Sequence, residues 1–179
     1  MAVFATQKGK KVMVVQVMGR LFMDPLDDPF PALDRAFAQH RLTGTGGGAG
    51  VDFVLVDIHA EATSEKMAIG HYCDGKASLV AGTHTHVPTA DAQVLPGGTA
   101  YITDVGMCGD YDSVIGMKKE SPIDRFRRKM PTERMSAADG PATLCAVFVE
   151  TDDATGLARK VVPVRLGGRL DQTVPEMSA

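Results

Sequence analysis

The sequence predicts an α/β fold built on parallel strands, and three observations carry that prediction. Short valine-rich runs alternate with amphipathic stretches along residues 12–81. Gly, Pro or a capping side chain marks each change of pattern. The chain, at 179 residues and 44% hydrophobic, has the length of one domain and the apolar side chains for a sizeable core.

Val12 to Met18 is short, rich in valine and bounded by Lys10-Lys11 and Gly19, which predicts a buried strand. Asp24-Pro25 and Asp28-Pro29 then punctuate a loop. From Pro31 the spacing of Leu33 and Phe37 predicts a helix to about Arg41, and the glycine run 44–50 reads as a flexible connector. Val51 to Val56 is a second strand. Thr63 to about Cys73 is a helix, with Thr63 or Ser64 as its N-cap and Gly75 closing its C-terminus, and Ser78 to Ala81 is a third strand. Strand, helix, strand, helix, strand requires right-handed crossovers between parallel strands. Thr99 to Val105 reads as a further strand, and Ser121 to Lys129 as a short helix capped by Ser121 with Pro122 first inside. Thr143–Glu150 and Ala158–Arg165 flank a turn-rich link and predict an antiparallel hairpin. The tail after Gly168 is expected to fray.

Composition narrows the function. Lys plus Arg number 19 against 22 for Asp plus Glu, so the net charge is −3 and no overall basic field exists to hold a long nucleic acid. Cys73, Cys108 and Cys145 lie far apart without a CxxC pairing, which fits neither a disulfide framework nor a cysteine metal knuckle. A reducing, cytoplasmic location without membrane attachment is expected, because the longest apolar stretch is too short to span a bilayer.

The chemistry concentrates in His84 and His86 of Gly82-Thr83-His84-Thr85-His86. Two imidazoles two residues apart on extended backbone can enter one concavity, and His59 falls just past the neighbouring strand. An HxH pair alone reads more often as a surface feature; the strand-end position of His59 shifts the balance towards zinc, iron or manganese binding. Asp57, Glu61, Glu65, Asp91 and Asp104 are acidic candidates to orient an imidazole, with Asp57 and Asp104 at strand ends favoured. His40 and His71 read as surface helix residues. Arg125, Arg127, Arg128 and Lys129 could touch a phosphate but suit the negative end of a helix without any ligand, and each cysteine reads as a small core residue or an incidental thiol.

The segments Asp57 to Lys66, Gly82 to Val87 and Thr99 to Met107 closely resemble the YmdB-like bacterial metallophosphoesterases, and Val17–Arg20, Asp24–Phe30 and Tyr111–Gly116 carry the likeness over nearly the whole chain to about residue 166. The resemblance implies a calcineurin-like α-β-β-α sandwich acting on 2′,3′-cyclic nucleotides through two metal ions, usually iron, with manganese or zinc as alternatives. It implies that His59 and His84 bind one ion and His86 the other. The family's Gly-Asp motif, bridging Glu and Asn-His proton donor have no counterpart, and the chain contains no Asn. The expectation is therefore a single metallophosphoesterase domain over 1–179 that is N-terminally incomplete. It would have no catalytic proton donor of its own, would be inactive alone and prone to associate with further copies. A non-catalytic metal-binding or interaction module is the alternative.

Overall fold

The computed structural model describes residues 1–24, 26–43, 49–131 and 133–176. Its main sheet has six strands in the order β1-β2-β5-β6-β8-β7. The parallel core is β2 (Lys11–Met18), β5 (Phe53–His59), β6 (Leu79–Thr83) and β8 (Ala100–Ile102), in the register Met18 to His59 and His59 to Thr83. Antiparallel strands β1 (Ala2–Ala5) and β7 (Gln93–Val94) form the two edges.

Alternation along the strands sends each face to a different layer. Met13, Val15 and Val17 of β2 and Val54, Val56 and Ile58 of β5 form one core with Leu33, Ala36 and Phe37 of helix α1 (Pro29–Gln39) and Ile69 of helix α2 (Thr63–Tyr72). On the other face Leu79, Ala81, Ala100 and Ile102 meet Val147, Val149 and Val161 of the hairpin β10 (Ala142–Thr151) and β11 (Ala158–Leu166). That hairpin, with β9 (Gly109–Asp110), is a second, three-stranded sheet. The order is helices, sheet, sheet, as the calcineurin-like expectation has it. Among the described residues no packed fourth layer follows, since helix α3 (Glu120–Arg128) buries only Pro122.

The structure corrects several local expectations. Strand β1 is an addition to the expected elements, because its four residues are all exposed and carry no amphipathic signature; it is held by a tight turn in which Gly9 takes φ +79°. α1 begins at Pro29, where the Asp28 carboxylate accepts from the Phe30 amide, and ends before His40, which starts β3 (His40–Leu42). β3 pairs in parallel with β4 (Ala49–Val51), so Val51 does not begin β5. Residues 44–48 of the glycine run lie outside the described residues.

Neither expected hydroxyl cap forms. Ala62 precedes α2 and Lys119 precedes α3, each without a side-chain bond, and Ser121 instead donates to the Glu133 carbonyl. Cys73 is the C-cap of α2, and Gly75 lies two residues beyond it in left-handed backbone. β8 stops at Ile102, because Thr103 and Asp104 turn to side-chain partners described below. The tail does not fray as far as Glu176: Thr173 exchanges backbone bonds of 2.8 and 2.9 Å with Arg165 of β11, and the Gln172 amide brackets Gly167. No helix among the described residues is long and apolar enough to cross a membrane.

Candidate metal centre at the sheet edge

Parallel pairing brings the carboxyl ends of β2, β5 and β6 to one edge, and His59 and Thr83 are cross-strand neighbours there. Thr83 has one hydroxyl hydrogen and gives it to Asp57 Oδ1 at 2.8 Å, so it accepts from His59 Nδ1 at 3.0 Å. The other oxygen of Asp57 accepts from Gln16 Nε2 of β2 at 2.9 Å. This relay puts the His59 ring proton on Nδ1 and leaves the lone pair of Nε2 pointing outward.

That nitrogen lies 3.1 Å from His84 Nδ1, with the two rings edge to face. On the far side of His84, Nε2 sits 3.2 Å from the Glu61 carboxylate, which only accepts. A neutral His84 with its proton towards Glu61 thus presents a second lone pair to that of His59. With the His84 proton on Nδ1 instead, it is donated to His59 Nε2; with it on Nε2, the two lone pairs can share one metal ion. The nitrogen separation is also what two imidazoles bound at about 2.1 Å to one ion produce at neighbouring positions. His59 and His84 thus offer two imidazole donors to one ion.

His86 takes another direction. Its Nδ1 lies 3.0 Å from the Ile115 carbonyl and must donate to it, which leaves Nε2 as the free lone pair. The structure brings His59 and His84 together and leaves His86 apart from them. Among the described residues no three His, Cys, Asp or Glu side chains are grouped to hold one ion.

The backbone here is strained. His84 has φ +103°, His86 +67° and Ile115 +46°, in the region that costs a non-glycine residue about 1–3 kcal/mol and persists only where the surroundings impose it. Asp104 is a large part of those surroundings, though it touches no imidazole. Its Oδ2 accepts from the Thr85 amide at 3.0 Å, the Thr85 hydroxyl at 2.7 Å and Lys66 Nζ at 2.8 Å, and its Oδ1 accepts from the Gly106 amide. Burial pushes the Asp104 carboxyl up, but the bonds from Lys66, Thr85 and Gly106 outweigh it and hold the group below the usual carboxylate range.

The other acidic candidates have structural partners. Asp91 binds the hydroxyls of Thr89 and Thr103, which overcome its burial and lower its pKa. Glu65 accepts from the amides of Arg20 and Leu21, fixing the loop after β2. His40 starts β3 and His71 lies in the last turn of α2, neither in contact with the imidazole pair. Cys73 is buried, and burial pushes its thiol up to about 12, as a core residue requires. Cys145 is buried against the Tyr111 hydroxyl, whose single hydrogen faces the carbonyls of Met107 and His86, while Cys108 is exposed. Sequence reasoning passed over Thr83, Thr85 and Lys66. The alternation of threonine with histidine placed the threonines beside the imidazoles, but only the pairing of β5 with β6 shows what their hydroxyls reach.

A family profile described as YmdB-like protein matches residues 1–164. The chain is 46% identical over 158 residues to the 2′,3′-cyclic-nucleotide 2′-phosphodiesterase of Bacillus subtilis (strain 168), covering 88% of this chain and 57% of that protein. Among solved structures, a hypothetical protein from Thermus thermophilus superposes with a TM-score of 0.81 at 46% identity, over 94% of this chain and 62% of that one. A phosphatase from Mycoplasma pneumoniae superposes with a TM-score of 0.78 at 36% identity, over 93% and 56% respectively. The chain therefore spans little more than half the length of these relatives.

Proposed function

The chain belongs to the YmdB-like family, and from that membership we propose that it supplies part of a metal-dependent centre hydrolysing 2′,3′-cyclic nucleotides. The observation that carries this reading is the pair of nitrogens His59 Nε2 and His84 Nδ1 at 3.1 Å, with the Thr83–Asp57 relay and Glu61 on their far ring nitrogens. His59 and His84 would hold one ion and His86 a second, with iron the first choice and manganese or zinc as alternatives. When bound, such ions neutralise phosphate charge and make water acidic enough to act as a nucleophile near neutral pH. In the reaction, a water oxygen joins phosphorus, the bond from phosphorus to the ribose 2′ oxygen breaks, and that oxygen takes up a proton. Asp57 and Thr83 keep the His59 proton on the nitrogen away from the site, and the Ile115 carbonyl does the same for His86. With an ion bound, Glu61 would accept the His84 proton on the far ring nitrogen. None of the residues placed at the site is assigned as the acid that protonates the leaving oxygen.

The alternative is a metal-binding module without turnover. It is favoured by the lack, among the described residues, of a set of three donors for one ion. One comparison separates the two readings. The 179-residue chain and a chimaera that joins it to the N-terminal segment of the B. subtilis relative are purified, their metal content is measured, and both are assayed with 2′,3′-cyclic AMP. Metal held weakly by the first, with turnover confined to the second and abolished by His84→Ala, supports the phosphodiesterase. Turnover that survives chelation and complete metal removal overturns it, and metal binding with no turnover in either form favours the module.

A further inference from the structure

The Lys66–Asp104 ion pair is among the most deeply buried polar features of the molecule, with side chains 0% and 2% exposed. Such a pair is a weak source of stability: taking both charges out of water costs about what their attraction returns, and apolar replacements of similar volume are often neutral. Its geometry points elsewhere. Lys66 lies in the first turns of α2, and its stem passes over Gly82, where a Cβ would stand 3.1 Å from Lys66 Cδ and 1.7 Å from the Thr103 carbonyl oxygen. The ammonium so delivered meets one oxygen of Asp104, which also takes both the amide and the hydroxyl of Thr85. The other oxygen holds Gly106, and the Asp104 amide is held in turn by the Thr89 hydroxyl. Thr85 is the residue between His84 and His86, whose backbones are both left-handed.

We propose that Lys66 and Asp104 form a positioning device that pins Thr85 and thereby aims the His84 and His86 imidazoles as ligands; this rests on the metal-binding reading above. Asp104 fixes the loop, and Lys66 keeps Asp104 ionised and in place beneath it. Neither residue meets metal or substrate.

The test uses the full chain, the double variant K66M/D104L, and T85V, which leaves the ion pair intact and removes only the hydroxyl bond. Three quantities are measured: urea unfolding; the amide proton couplings that report φ at His84 and His86 without metal; and the broadening of the His59, His84 and His86 imidazole signals by manganous ion. The expected result is a folded double variant whose two couplings leave their native values and whose manganese affinity falls by about tenfold or more, the scale for a lost partner of a ligand. T85V should fall between it and the native chain. Should the double variant not fold, T85V decides. Native couplings and native broadening in the folded variants overturn the positioning role while leaving the histidines as ligands. No broadening of the native chain at millimolar manganese overturns the metal reading itself, and the couplings still decide whether the pair sets the loop.

Discussion

Thr83 determines which nitrogen of His59 is available, since its single hydrogen goes to Asp57 and its oxygen must then accept. Thr83→Val removes the relay at nearly constant volume and frees the ring to exchange tautomers. Manganese affinity should fall by about tenfold or more, while the urea midpoint moves little, which calorimetric titration and urea unfolding together check. A second expectation concerns acid. Asp91 and Asp104 both have pKa values lowered from the ordinary 3.8 in the folded chain. Groups depressed in this way contribute stability above the unfolded value and lose it as pH falls through the folded one. Unfolding midpoints measured between about pH 5 and about pH 2 should fall steeply in the native chain, and Asp91→Asn should be less stable at the upper end with a shallower fall. At this scale the sequence singled out the three histidines and the two strand-end aspartates. What it did not reveal was that Asp57 acts through Thr83 and that Asp104 serves Thr85, because both contacts join different strands or loops.

The elements depend on close approaches that leave little room for side chains. A Cβ on Gly82 would stand 1.7 Å from the Thr103 carbonyl oxygen, a backbone atom that cannot turn away. Gly82→Ala should therefore force β6 from the Thr103–Val105 segment and cost about 3 kcal/mol or more, read from urea unfolding, with loss of manganese broadening at His84. Among the described residues Asp28 is the one helix cap made by a side chain, and it also binds Arg20 at 3.1 Å. Asp28→Ala should cost about 1 kcal/mol and loosen the loop between β2 and α1. Asp-Pro is a readable cap signal, yet the periodicity of Leu33 and Phe37 draws the expected start to Pro31. In α2 the hydroxyls of Thr63 and Ser64 suggest a cap that tertiary structure leaves unused, with Ala62 at the position preceding the helix.

At the scale of the molecule, β1 is an exposed edge with Val3 38% and Phe4 57% accessible. Open edges of this kind template pairing with another chain. The chain should self-associate in sedimentation velocity as concentration rises, and Phe4→Lys should shift it towards the monomer without altering the unfolding midpoint appreciably.

By itself the sequence determined the α/β class, the terminal hairpin and the three histidines at strand ends, because these rest on local periodicity and on residue chemistry that needs no partner. The tertiary structure alone decided the rest. Pairing β5 with β6 set His59 against Thr83 and so chose its tautomer. The loop turn after β6 brought His84 to His59 and sent His86 to Ile115. Folding α2 over Gly82 delivered a lysine, 38 residues away in the chain, to the aspartate beneath the loop. Each of these is a contact between distant segments, whose direction depends on register and packing rather than on any pattern within one segment.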